Sequence, residues 1–155
     1  MTATLITLLI WFCGLGCALV GGIFFAFSTF IMTALERTGP AAGRAAMNSI
    51  NTVILRSLFM LFFVGTTIGS IVLAIVGIAD RQWWLIAGGV VYWFGMFAVT
   101  MARNVPLNNE LLRSEGDAGA EVWRRYLVEW TRWNHVRTVI SLVSAGCFIA
   151  ALDGR

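Results

Sequence analysis

The chain has 155 residues, of which 59% are hydrophobic and only 12% are charged, and its formal net charge is +3. This composition is too apolar for a soluble domain of this length and indicates an integral membrane protein, with the lipid bilayer as its surroundings. All eleven basic residues are arginines. So small a net charge gives no indication of nucleic-acid binding.

Hydropathy predicts four transmembrane helices, at about residues 5–31, 53–78, 84–101 and 136–152. Each stretch is close to or above the ~20 residues that a helix needs to cross a bilayer. The predicted fold class is therefore an all-α membrane protein. We expect residues 1–155 to form one domain, an antiparallel four-helix transmembrane bundle.

Small residues mark the helix faces that we expect to pack closely. The first span carries Gly14, Ala18 and Gly22 at intervals of four, with Cys17 and Gly21 alongside, and the second carries Gly65 and Gly69. Such spacing lets the backbones of two helices approach each other in lipid.

The two later connections differ in length. Residues 80–82 leave room for only a tight hairpin between the second and third spans. The connection before the fourth span carries an amphipathic helical pattern at about residues 120–135, where Arg125 lies four residues from both Glu121 and Glu129. We expect this helix to continue directly into the fourth span, so that the fourth helix extends into the cytoplasm.

The distribution of arginines predicts the orientation in the membrane. Most of them lie in or beside the first and third connections, and only Arg81 and Arg155 lie on the other side. The positive-inside rule then places both long connections in the cytoplasm and both termini outside, in a bacterial inner or plasma membrane.

Polar side chains are concentrated at the predicted cytoplasmic end of the bundle, where they are costly unless they pair or take part in chemistry. They are Ser28, Asn48, Asn51, Arg56, Asn104, Asn108, Asn134, His135 and Arg137. Structural explanations are open for several of them. Asn104 and Asn108 could cap a helix that we expect Pro106 to break or bend, and Arg56 could extend to lipid headgroups.

Two of these residues suggest chemistry. His135 is the only side chain in the group that titrates near neutral pH. Arg137 lies on an aromatic stripe with Trp130 and Trp133, which suits the binding of an anionic group. The predicted spans contain no Asp or Glu, which argues against an ion-coupled transporter. With one histidine, a chain cannot form a two-histidine haem site or a three-histidine metal site, and we predict no metal ligands.

Four motifs carry a resemblance to a known family. They are residues 21–28 (GGIFFAFS), 47–51 (MNSIN), 104–108 (NVPLN) and 130–138 (WTRWNHVRT). With them the chain resembles the anthrone oxygenase-like family of small four-span membrane proteins. The resemblance implies oxidation of an anthrone, or a similar planar phenolic or quinone-like molecule, with molecular oxygen as co-substrate and no required cofactor.

The resemblance also implies roles for the polar and aromatic residues. His135 would be the base, and Asn104, Asn108, Asn134 and Arg137 would donate hydrogen bonds to the developing oxyanion. Phe24, Phe27, Phe59, Phe62 and Phe63 would line an apolar slot. The remaining substrate-binding candidates are Ser28, Asn48, Asn51, Arg56, Trp130 and Trp133.

Two alternatives stay open at this stage. The first is a non-enzymatic bundle that binds a lipid or quinone or serves as an accessory subunit of a larger complex, with the polar residues satisfying one another. The second is a haem or metal protein assembled across subunits. A homo-oligomer is compatible with either alternative and with the enzyme.

Overall fold

Five helices make up nearly all of the protein. A computed structural model describes residues 2–153, apart from the side chain of Asp117. The helices are α1 (Ala3–Arg37), α2 (Pro40–Ile54), α3 (Leu58–Asp80), α4 (Trp83–Arg113) and α5 (Gly116–Asp153). The described residues contain no strand. The predicted all-α fold class is confirmed.

Four of these helices are long and apolar enough to cross a membrane: α1, α3, α4 and the Ala118–Asp153 part of α5. One boundary differs from the prediction. We expected the second span to begin near residue 53, but α2 ends at Ile54 and α3 begins at Leu58. Ser57 has extended backbone angles just before α3. Hydropathy did not separate this turn from the span because apolar residues flank Arg56 and Ser57 on both sides.

The hairpin between α3 and α4 is as tight as predicted. Arg81 adopts a left-handed conformation with φ of 57°, and the backbone N–H of Gln82 donates to the carbonyl of Gly77 over 2.8 Å. Many helices end with such a left-handed residue, after which backbone N–H groups donate hydrogen bonds to the last carbonyls of the helix. A Cβ atom at Gly77 would lie 2.9 Å from the carbonyl oxygen of Gln82. The turn therefore requires glycine there.

The helix α1 packs against α5 through some of the predicted small residues. A Cβ atom at Gly21 would lie 3.0 Å from Cβ of Ser141, and one at Gly14 would lie 3.7 Å from Cβ of Phe148. Cys17 is also buried. Ala18 is exposed, and Gly22 has no neighbour within 4 Å of such an atom, so these two predicted members do not take part.

A single helix of 38 residues, α5, contains both the amphipathic segment and the fourth span. This confirms the predicted continuity. The predicted ion pairs are different, however. Arg125 pairs with Glu110 on α4, and Arg124, not Arg125, pairs with Glu121 along α5. Because Arg125 reaches across to α4, it ties the two helices together at their extended end.

The interior contains two clusters of buried side chains. The larger lies between the membrane-spanning parts of α1, α3, α4 and α5. The smaller lies where α2 and the ends of α1 and α4 pack against the first half of α5, and it contains Met32, Met47, Leu111, Trp123, Tyr126 and Trp130. The extended part of α5 is thus packed against other helices, and the smaller cluster borders the candidate site.

Three segments have π-helical geometry: Phe27–Ile31 in α1, and Val91–Ala98 and Thr100–Asn104 in α4. Such wide turns interrupt the regular hydrogen-bond ladder and recur at functional sites. We expected Pro106 to break or bend its helix, but α4 continues to Arg113. The backbone N–H of Val105 donates to the carbonyl of Thr100. This wider turn displaces the preceding carbonyls that the proline ring would otherwise meet.

Candidate functional site

Arg137 is the central residue of the candidate site. It lies on α5 with only 4% of its surface exposed. The guanidinium carbon lies 4.0 Å from the ring centroid of Phe24 and 5.2 Å from that of Trp130. Its Nη2 donates to Oδ1 of Asn134 over 2.6 Å, and its Nη1 lies 3.5 Å from Oγ1 of Thr100. Two aromatic faces and two polar side chains therefore surround one cation.

None of the described carboxylates neutralises this cation. Among the described side chains, the ion pairs are Arg124 with Glu121 and Arg125 with Glu110. The Nε of Arg137 is buried and has no hydrogen-bond partner. A guanidinium keeps its charge when buried, so it is costly without an acceptor. An anionic or carbonyl oxygen from a bound molecule would satisfy it.

Asn134 holds Arg137 in place. Its Nδ2 donates to the carbonyl oxygen of Phe24 and to Oγ of Ser28, both over 2.6 Å. Its Oδ1 is the acceptor for Arg137. Phe24 lies just before the π-helical turn of α1, where a carbonyl can accept from a side chain because the regular ladder changes. Asn134 thus joins α1 to Arg137 through one fully used amide.

A cavity of about 190 Å³ lies beside Arg137. It is slightly larger than the ~150 Å³ cavity that holds a benzene ring in an engineered protein. Its apolar walls come from α1, α2, α3 and α4 and include Phe24, Phe27, Met47, Ile50, Phe59, Met60 and Phe63. Its polar groups are those of Asn51, Thr100, Asn108, Trp130 and Arg137. The cavity suits an aromatic ring that carries an oxygen substituent.

A neighbouring side chain fixes the amide of Asn108. The hydroxyl of Tyr126 donates to Oδ1 of Asn108 over 2.8 Å. Tyr126 itself is stacked between Trp123 and Trp130, with ring centroids 5.9 Å and 5.7 Å away. Because the oxygen of the Asn108 amide is occupied, its NH₂ group remains the donor for a molecule in the cavity.

The indole N–H of Trp130 is a further hydrogen-bond donor beside the cavity. The indole Nε1 of Trp130 is buried and has no partner, although the ring lines the cavity. Asn104 is buried behind it and donates from Nδ2 to the carbonyl oxygen of Trp130 over 3.4 Å. Its side chain caps no helix, so it braces α4 against α5.

The structure divides the predicted site residues into two groups. Those that line the cavity are Phe24, Phe27, Asn51, Phe59, Phe63, Asn108, Trp130 and Arg137. Those that do not are Ser28, Asn48, Arg56, Phe62, Asn104, Trp133, Asn134 and His135. We expected Asn104 and Asn134 to donate to a substrate. The structure instead uses them to hold Trp130 and Arg137 in position.

His135 lies on the exposed side of α5, one residue beyond Asn134. It is therefore not placed to take a proton from a molecule in the cavity. Arg56 is also exposed, in the turn between α2 and α3. Trp133 lies under the guanidinium of Arg103, 4.8 Å from it. In the described part of the chain, no three His, Cys, Asp or Glu side chains come together as metal ligands would.

The sequence did not identify Tyr126 and Met47 as parts of the site. Tyr126 lies on the same stripe as Trp123 and Trp130, and this spacing was the one available signal for it. Met47 looks like any apolar residue of an amphipathic helix. Its position at the cavity depends on how α2 folds back onto α5.

These features define a small four-span membrane protein with an apolar cavity that has a buried cation at one end. A family model described as anthrone oxygenase matches residues 51–147, and the chain belongs to this family. The resemblance read from the motifs is thereby confirmed. The matched range contains Asn51, Asn108, Trp130 and Arg137 but not α1. No curated protein and no solved structure matches the chain.

Proposed function

We propose that the protein is a membrane-embedded, oxygenase-like enzyme. Its substrate would be a planar apolar aromatic molecule whose phenolic or carbonyl oxygen binds Arg137, and molecular oxygen would be the co-substrate. The observation that carries the proposal is the buried guanidinium beside the cavity, which has no carboxylate and an unpartnered Nε. The family membership supports the same class of reaction.

The chemistry follows from the acidity of such a substrate. An anthrone loses a proton from carbon to give an enolate, whose negative oxygen Arg137 would stabilise. The electron-rich carbon then bonds to molecular oxygen and forms a hydroperoxide. Loss of water leaves a second carbonyl, so that one anthrone and one O₂ give one anthraquinone and one water. An anion this electron-rich reacts with oxygen without a metal.

The residues around the cavity suggest how the proton leaves. None of the described lining residues is His, Asp or Glu. Arg137 would therefore act by binding the substrate as its enolate, with the proton lost to water at the membrane surface before the ring enters the cavity. The cavity accommodates the ring that carries the oxygen. Further rings of a polycyclic substrate would extend out of it.

Oxygen uptake by the protein in lipid nanodiscs, with a hydroxylated anthrone, tests the proposal, and quinone absorbance gives an independent readout. Replacement of an oxyanion donor lowers the rate by a factor on the order of 10²–10³. We therefore expect Arg137→Gln to lower turnover by at least about 100-fold. Arg132→Gln is the matched control, because Arg132 is exposed on the same helix. We expect it, and His135→Ala, to retain turnover. Full activity of a folded Arg137→Gln protein would refute the proposal.

A second function is favoured by the absence of a titratable base among the described lining residues. In that case the protein binds a phenol or quinone without turnover. Arg137→Gln would then abolish binding of a radiolabelled ligand, while the wild-type protein would consume no oxygen above the spontaneous oxidation of the anthrone. Measurement of both quantities on one preparation separates the two functions.

We also propose that the end of the bundle with the cavity faces the cytoplasm. Most of the exposed arginines lie at this end, beyond the apolar stretches of the helices, among them Arg37, Arg113 and Arg124. The positive-inside rule favours that orientation.

A further inference from the structure

The wall of the cavity is open on one side. Leu55, in the turn after α2, and Met101, in the π-helical part of α4, both line the cavity. Yet 65% of Leu55 and 51% of Met101 is exposed. Because these two side chains line the cavity and are also exposed on the surface of the protein, the cavity opens to the outside between them. We call this gap the side opening.

The side opening is at the depth of lipid. An α-helix rises about 1.5 Å per residue and a π-helical segment rises less, so Met101 lies at most about 27 Å along α4 from Trp83, within the ~30 Å of a hydrocarbon core. Leu58, at the start of α3, is 77% exposed, and Val53, at the end of α2, is 64% exposed. Exposed apolar residues therefore lie on both sides of the opening, while the exposed Arg56 and Arg103 beside it mark the headgroup border. The opening thus lies at the edge of the hydrocarbon core, where a tail leaving the cavity meets acyl chains.

The part of the cavity wall around Arg137 is closed. There Arg137 is buried between Phe24 and Trp130, and Tyr126 is fully packed behind Asn108. The cavity is therefore asymmetric, with the cation and hydrogen-bond donors at the inner end and an apolar exit at the outer end. A volume of about 190 Å³ leaves no room for a long substituent.

We propose that the ligand enters sideways from the bilayer and belongs to the class of aromatic phenols or quinones that carry an apolar tail. The oxygen-bearing ring occupies the cavity, and the tail leaves between Leu55 and Met101 into lipid. This inference rests on the proposed function, because it uses the same contact between a ligand oxygen and Arg137.

Binding of two radiolabelled benzoquinones to the protein in nanodiscs tests the inference. One has no tail and the other carries a long alkyl chain, and concentrations are expressed per lipid so that partitioning cancels. Because both compounds are compared per lipid, the tail gains no hydrophobic transfer energy. Packing of the tail against Leu55 and Met101 still adds van der Waals contacts, so we expect the tailed compound to bind about threefold more tightly. Met101→Trp, which fills the opening, should remove that preference, as should Leu55→Trp. Leu61→Trp is the control, because Leu61 is equally apolar and 63% exposed but does not line the cavity.

The outcomes separate this inference from the proposed function. Equal binding of both quinones, or an unchanged preference in both Met101→Trp and Leu55→Trp, would overturn the side opening as the exit for the tail. If Arg137→Gln still abolishes anthrone turnover in that case, the proposed function stands. If Arg137→Gln affects neither binding nor turnover, both proposals fail. A preference that is lost in Met101→Trp and Leu55→Trp and retained in Leu61→Trp supports the inference.

Discussion

Asn134 uses every hydrogen-bonding group of its side chain to connect other parts of the site. Two donors reach Phe24 and Ser28 on α1, and the acceptor receives Arg137. The backbone carbonyl of Asn134 also accepts from Thr138. The position of the cation therefore depends on a residue that does not itself line the cavity.

Replacement of Asn134 should destabilise the protein markedly. Asn134→Leu removes an acceptor from buried Arg137 and a donor from Ser28, and each buried polar group left unsatisfied costs ~1–3 kcal/mol. We expect the free energy of unfolding to fall by about 2–4 kcal/mol, measured by thermal or denaturant unfolding in detergent. Asn109→Leu is the control, since Asn109 is exposed on α4. Equal stability of the two variants would contradict this account.

Tyr126 is expected to act through Asn108. Tyr126→Phe keeps the stacking on Trp123 and Trp130 but removes the hydroxyl that fixes the amide. Loss of one such hydrogen bond costs only ~1 kcal/mol of stability. With the amide free to rotate, affinity for a quinone should fall by up to about tenfold, since ~1.4 kcal/mol corresponds to that factor. A variant that unfolds earlier but binds the quinone as wild type would show that Tyr126 serves only the core.

Among the helices, the approach of α3 to α4 depends on one glycine. A Cβ atom at Gly89 would collide with the carbonyl oxygen of Ser70 and lie 2.8 Å from Cβ of Ala74. By contrast, a Cβ atom at Gly22 on α1 would meet nothing within 4 Å. The two positions therefore form a matched pair, one crowded and one open.

We expect Gly89→Ala to lower the free energy of unfolding by about 1–3 kcal/mol, because α3 and α4 must move apart to accept the methyl group. Gly22→Ala should be neutral or slightly stabilising, since alanine favours helix over glycine by up to ~1 kcal/mol. Unfolding of both variants in the same detergent checks the difference. The packing account fails if Gly89→Ala proves as stable as Gly22→Ala.

The glycine pattern also shows where a sequence-based prediction loses accuracy within a helix. Steps of four residues advance about 40° around an ideal helix, so Gly14 and Gly22 point in directions about 80° apart. A step of seven drifts only ~20°, which keeps Gly14 and Gly21 on one face.

The spans, the hairpin and the long α5 could be predicted because they depend on composition and length. The packing face, the π-helical turns and the break before Leu58 depend on neighbouring helices.

For the whole molecule, the aromatic part of the site was predicted more completely than its polar part, since four of the five predicted phenylalanines line the cavity but only three of the nine polar residues do. Arg137, Asn108 and Asn51 stand out because polar residues are rare in this chain. Met47 and Met60 do not stand out, because they are two apolar residues among many. Met47 reaches the cavity through the fold of α2, and Met60 lies near the start of α3. The sequence also could not show which polar residues touch the cavity, since Asn134 and His135 are adjacent but point in different directions.

The orientation of the whole molecule can be tested by labelling single cysteines. The native Cys13, Cys17 and Cys147 are buried and are first replaced by alanine. Four spans require Ala118→Cys, before the buried part of α5, and Asp80→Cys, at the α3–α4 hairpin, to lie on opposite sides of the membrane. With the arginine-rich end in the cytoplasm, a membrane-impermeant thiol reagent should label Asp80→Cys in right-side-out vesicles and Ala118→Cys only in inverted ones. Labelling of both from the same side would refute the four-span arrangement, and the reverse pattern would place the cavity at the outer face.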